Sequence, residues 1–161
     1  MLIIVSFAIT LLTMSAFVDT RRSARIGSEA PALVVERADS SLTLEGLRGR
    51  KVVLSFWSAA DAQSRLDQNL LAAAMRKAGK NTETAVVSVN FDHSEKLMKE
   101  IAAIDNLDAG SQFHVGDATA VSAIREVFEM ADGLRTFIID ERGVIEKVDP
   151  SEQELAEALA A

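Results

Sequence analysis

The run Lys51-Val52-Val53-Leu54-Ser55-Phe56-Trp57 constrains the fold more than any other stretch of the chain. It lacks the polar alternation of a half-exposed strand, so a strand built from it must be covered on both faces. Such strands lie inside a sheet with helices on either side, and the flanking sequence supplies them. After it, Leu66, Leu70, Ala74 and Ala78 recur at helical spacing. Arg76 and Lys77 sit in the last turn of this helix, and Gly79 suits its end. Thr84 to Asn90 is a second buried strand. Asp92 then stands three residues before Glu95, a capping-box spacing, ahead of a helix with Leu97, Ile101 and Ile104 on one face.

The alternation continues to the C-terminus. Gln112 to Val115 reads as a short strand, and Asp117 caps a helix carrying Val121, Ile124 and Phe128. Thr136 to Ile139 and Val144 to Val148 form a hairpin across Asp140-Glu141-Arg142-Gly143, where Gly143 is free to take positive φ. Pro150-Ser151 opens a last helix, with Glu154 completing a capping box and Leu155 and Leu159 facing inward. Before the central run, Ala32 to Val35 and Leu42 to Leu44 read as short edge strands, and Arg48-Gly49-Arg50 as a turn. After those edge strands the order is β-α-β-α-β-α-β-β-α, an α/β domain of thioredoxin-like plan spanning 31–161.

Several function classes are excluded by what the chain lacks. It has no cysteine, which removes thiol–disulfide chemistry, structural disulfides, Cys-ligated zinc and iron–sulfur clusters. The net charge is −7, and no basic run extends beyond Arg21-Arg22, so the chain lacks the cationic surface that nucleic acid requires. Gly110, Gly116 and Gly133 match no phosphate-cradling pattern, and no cofactor is implied.

Residues 1–18 carry no charged side chain. The 17 residues from Leu2 to Val18 are at the short limit for crossing a bilayer. Three readings stand: a cleaved signal peptide, a retained membrane anchor, and a buried core helix. Ser6, Thr10, Thr13 and Ser15 form no polar stripe, which counts against the last. Thr13-Met14-Ser15 or Met14-Ser15-Ala16 offers a small-residue cleavage site, though no positive charge precedes the apolar stretch. Arg21, Arg22 and Arg25 follow it, and by the positive-inside rule they favour a cytoplasmic C-terminus if the segment is retained. Residues 19–30 are polar and read as a linker.

Three stretches carry a family resemblance. Gly27-Ser28-Glu29-Ala30-Pro31 with Leu33, Leu42 through Trp57, and Gly133 through Gly143 together resemble, in order, segments of TlpA-like, membrane-tethered oxidoreductases of the thioredoxin family. This implies a thioredoxin-like fold and an exported, periplasmic or outward-facing domain, against the charge pattern around Arg21, Arg22 and Arg25. It also places Asp61 and Ser64 where such proteins carry their two redox cysteines. Ala60 falls where a tryptophan flanks that pair, and Leu134 where a cis-proline faces it. A redox role is therefore not expected.

The residues themselves leave alternatives open at that corner. Asp61 caps the helix or sits in its first turn, with Ser58 as a second candidate cap. Against this structural reading stands a functional one. The strands ending at Trp57 and Asn90 should be parallel neighbours, which brings Asp61, Ser64, Asp92 and His93 to one sheet edge. An Asp61/Asp92/His93 metal site or a cysteine-free hydrolytic set is conceivable there, but no metal-ligand spacing and no nucleophile elbow occurs. His114 is expected to face solvent or a satisfied hydrogen bond, and Glu152, Glu154 and Glu157 a solvated helix face. The expected function is a redox-inactive module of the cell envelope that binds a protein partner. It would do so through Trp57, Ala60, Asp61, Leu134 and Arg135, with Arg135 pairing an acidic group. An apolar-ligand carrier is a third reading without specific support.

Overall fold

Residues 22–37, 40–79 and 83–160 are described in the computed structural model. The covered strand predicted at the centre is there: β3 (Val52–Trp57), buried at every position. It pairs in parallel with β4 (Ala85–Asn90), which pairs in parallel with β5 (Gln112–His114). On its other side β6 (Thr136–Ile139) runs antiparallel to β3 and turns into β7 (Ile145–Val148). The sheet order is therefore β5-β4-β3-β6-β7. Gly143 in the hairpin turn takes φ +84°, as its position requires. A separate antiparallel hairpin, β1 (Val34–Arg37) with β2 (Ser40–Thr43), precedes the sheet.

Four helices cover this sheet: α1 (Ala62–Ala78), α2 (Glu95–Ile104), α3 (Ala118–Val127) and α4 (Glu152–Ala160). One face of β3 presents Val53, Ser55 and Trp57. Val53 packs with Leu71 and Ala74 of α1, Ile138, and Leu155 and Leu159 of α4, while Trp57 packs with Ala72, Met98, Ala102 and Leu107. Both successive crossovers, α1 and α2, lie on this face, as same-handed steps in one direction demand. The opposite face presents Val52, Leu54 and Phe56 to Leu33, Val35, Phe128, Met130 and Phe137. Phe56 lies with its ring centroid 5.3 Å from Phe91, 5.0 Å from Phe128 and 6.3 Å from Phe137. Such aromatic contacts add to the area that burial removes from water.

Four expectations need correction. Leu66 is 53% exposed; the buried residues of α1 are Ser64, Gln68, Leu71, Ala72 and Ala74. On α2, Leu97 and Ile104 are exposed and Met98 and Ala102 are buried. In each helix the inner stripe runs beside the one read from the sequence. Ser94, not Asp92, caps α2, accepting the Leu97 N–H. Residues 19–30 are no free linker over their described part. Arg22 bridges to Glu29, Glu29 to Val144, and the Gly27 N–H donates to Ile145 O at 2.8 Å, with Ala24 buried. Residues 1–18 and Arg21 lie outside the described residues. No helix among the described residues is long and apolar enough to cross a membrane.

Candidate functional site

At the N-terminus of α1 the first turns of the helix meet the ends of β3 and β4. Asp61 is the cap: its carboxylate accepts the Ser64 N–H at 2.7 Å. Ser64 is buried; its hydroxyl donates to Asp61 O at 3.2 Å and accepts the Ser58 N–H at 3.2 Å. Ser58 does not cap. Its hydroxyl donates instead to Asp92 Oδ1 at 2.7 Å.

Asp92 is the hub that sequence reasoning placed in a helix cap. It is buried, and its carboxylate accepts the Ser58 hydroxyl, the Ala59 N–H at 3.1 and 2.9 Å, and the Asn90 side-chain amide at 2.7 Å. Its own N–H donates back to Asn90 Oδ1 at 2.9 Å, and its carbonyl accepts from His114 Nε2 at 2.7 Å. The Asp92 carboxylate thus ties the β3–α1 turn to the β4–α2 turn, and its carbonyl adds the link to β5. Gly116 lets the chain after β5 close over this corner, since a Cβ there would lie 2.6 Å from the His114 ring. Arg65 adds a bidentate pair to Asp105 at 2.6 and 2.8 Å, joining α1 to the end of α2. The Arg65 guanidinium holds the Asp105 carboxyl below its ordinary value.

The structure therefore brings Asp61, Ser64 and Asp92 into one corner, joined through Ser58, whereas His93 is exposed and makes none of these bonds. Among the described residues no three His, Asp or Glu side chains are arranged to hold a metal ion. The Ser64 hydroxyl is engaged at both donor and acceptor sides and points to no histidine. His114, expected to face solvent or a satisfied hydrogen bond, makes the hydrogen bond and is the histidine that the corner uses.

Behind the corner runs a buried polar row that sequence reasoning missed. Thr136, Ser55, Ser88 and Gln112 stand in register across β6, β3, β4 and β5. Ser55 Oγ lies 2.7 Å from Thr136 Oγ1 and accepts from Gln68 Nε2 of α1 at 2.7 Å, and Trp57 Nε1 donates to Gln112 at 3.0 Å. Ser55 and Ser88 were visible as interruptions of apolar runs. The others needed the register.

The second half of the candidate site is the loop before β6. Leu134 is half-buried against the aromatic side of the core, in a trans peptide like every described residue. Trp57 is fully buried on the other face of the sheet, so the expected patch of Leu134, Trp57 and Ala60 does not form. Leu134 precedes β6, which starts at Thr136, and its side chain packs with the cluster that holds Phe56, whereas Trp57 packs with the cluster on the other face. Arg135 is not free for an acidic partner, because it reaches Asp149 at 3.5 Å, and its carbonyl accepts the Phe56 N–H at 3.0 Å. Asp149 also accepts the Thr136 N–H at 3.2 Å.

Leu134 lines a cleft of about 350 Å³ with Gln63, Asp67, Leu70, Thr136, Asp149, Pro150 and Leu155. Asp67 accepts from Gln63 Nε2 at 2.9 Å. Burial raises the Asp67 carboxyl above its ordinary value, and the Asp149 and Asp61 charges add to this. A larger groove, about 800 Å³, lies between α2 and the end of β1, walled by Met98, Ala102, Leu107, Arg37, Gln112 and His114.

A parallel β-α-β core closed by an antiparallel hairpin and a helix, with the α1 N-terminus facing the loop before β6, is a thioredoxin-like fold. The chain resembles a thioredoxin-like protein from Parabacteroides distasonis at 30% identity and TM-score 0.71, over 87% of this chain and 98% of that one. It also resembles the thioredoxin domain of a thiol-disulfide oxidoreductase from Bacteroides vulgatus at 20% identity and TM-score 0.69, over 83% and 94%. A thiol:disulfide interchange protein from a Bacteroides species matches at 20% identity and TM-score 0.68, over 83% and 86%. No protein-family model and no curated protein matches the chain. The chain belongs to the thioredoxin-like family, as a degenerate member without the C-x-x-C pair and the cis-proline.

Proposed function

We propose that this protein is a redox-inactive thioredoxin-like module of the cell envelope that docks a segment of another protein in the cleft beside Leu134. The observation that carries the reading is the contrast between its two halves. Asp61 and Ser64, at the positions matching the redox cysteines, are committed to hydrogen bonds inside the chain. The cleft walled by Leu134 and Asp67 is open and half apolar. The loop 131–135 next to it offers backbone for strand addition, and the Leu134 N–H, which a proline would lack, is one more donor. The envelope location rests on the resemblance to membrane-tethered relatives, with residues 1–18 as signal peptide or tether.

Photoreactive cross-linking in intact cells tests the reading. A probe at position 134 should capture a discrete partner protein, and one at Lys77, on the far turn of α1, should not. Capture from both positions alike, or from neither, overturns the proposal. The purified chain should leave insulin disulfides unreduced; reduction would place an electron-transfer function elsewhere on the fold.

A further inference from the structure

The cleft beside Leu134 holds a carboxylate with no counter-charge. Asp67 lines it, and its hydrogen-bond partner among the described residues is the neutral amide of Gln63. The basic groups nearby are already taken. Arg135 reaches Asp149 at 3.5 Å, and Lys147 reaches Glu154 at 2.7 Å. Leu70, Leu134, Pro150 and Leu155 form the apolar part of the wall of this cleft of about 350 Å³, and Gln63, Thr136, Asp67 and Asp149 its polar part.

We infer that this cleft selects a basic side chain, a lysine or arginine projecting from the docked segment, with its stem along Leu70, Leu134 and Pro150 and its cationic head at Asp67. The inference rests on the docking role proposed above. Long basic side chains match both parts of the site, since their methylene stems cover apolar surface while the head stays polar. Placing a cation beside Asp67 relieves its repulsion from Asp149 and Asp61, which a neutral or acidic occupant would not. The chain's net charge of −7 draws basic segments toward the surface before contact. A bare metal ion is the poorer occupant, because among the described residues no three His, Asp or Glu side chains are placed to hold one.

The test titrates the full ¹⁵N-labelled chain, in mild detergent, with an extended pentapeptide carrying a central lysine between leucines. Versions with arginine, glutamine or glutamate at the centre accompany it. The lysine and arginine peptides should shift the amides of Gln63, Asp67 and Leu134 and bind about fivefold or more tighter than the glutamine peptide. Asp67→Asn should abolish that preference, so that the lysine, arginine and glutamine peptides bind alike. Asp67→Lys should turn the preference toward glutamate. Equal binding of all four peptides in the cleft overturns the inference while the docking role stands. Absence of shifts at the cleft, or shifts at Arg37, Met98 and Leu107 instead, removes the docking role and the inference with it.

Discussion

At the N-terminus of α1 the polar groups turn inward. Asp61, Ser64, Ser58 and Asp92 spend their hydrogen-bonding capacity on each other and on the backbone around them. Across the cleft, beside Leu134, the opposite holds. Asp67 faces open space next to other carboxylates and has a single neutral partner. Asp61 and Asp67 stand at the cap and in the second turn of one helix, yet one contributes stability and the other costs it. Groups that hold a fold together are satisfied within it, and groups kept for an outside partner are satisfied only when it arrives.

The comparison is broken most directly at Asp92. Asp92→Ala leaves the Ser58 hydroxyl, the Ala59 N–H and the Asn90 amide without their acceptor in a buried site. We expect a loss of about 2–4 kcal/mol, read from urea denaturation midpoints. A loss under about 1 kcal/mol would mean that water takes over the three donors, and that the corner is looser than its hydrogen bonds imply. At Asp61 the effect should be smaller. Asp61→Ala should cost about 0.5–2 kcal/mol and Asp61→Asn little, because asparagine caps helices almost as well as aspartate. An unchanged or increased stability for Asp61→Ala would move Asp61 into the same class as Asp67.

How far the sequence reached follows the same division. The covered strand at Val52–Trp57, the parallel neighbours, the hairpin at Gly143 and the Ser151–Glu154 capping box are local or periodic signals, and each is present. The inner face of α1 was misread because Gln68 and Ser64 face the sheet, where a partner such as Ser55 makes the burial of Gln68 tolerable. No hydropathy pattern reveals that partner; it depends on register between distant strands. Asp92 was misread for the same reason. Its spacing to Glu95 fits a cap, but the donors that fix it come from Ser58 and Ala59, in another turn of the chain. The corner's residues were thus named from sequence, with the capping role of Asp61, while the roles of Ser58, Ser64 and Asp92 were not. The cleft needed the helix α4 in place before Asp67 and Pro150 could be seen to share a wall.

The smallest effect, and the one of opposite sign, belongs to Asp67. Burial favours its neutral form, with the Asp149 and Asp61 charges acting the same way, so its folded-state pKa lies above the unfolded value. For a carboxyl raised in this way, the associated stability is fully present below the unfolded pKa and is lost as pH rises through the folded one. At pH 7 the ionised group therefore weighs against folding, although water still reaches it and screens most of the cost. Asp67→Asn keeps the Gln63 contact and removes the charge. It should raise stability at pH 7 by a few tenths of a kcal/mol, a gain that shrinks toward zero near pH 3, where Asp67 itself is protonated. Parallel urea titrations at the two pH values read this as a midpoint difference present at one and absent at the other. If Asp67→Asn instead lowers the midpoint at pH 7, the carboxylate is a structural group like Asp61. The contrast between the closed corner and the open cleft would then have lost its second member.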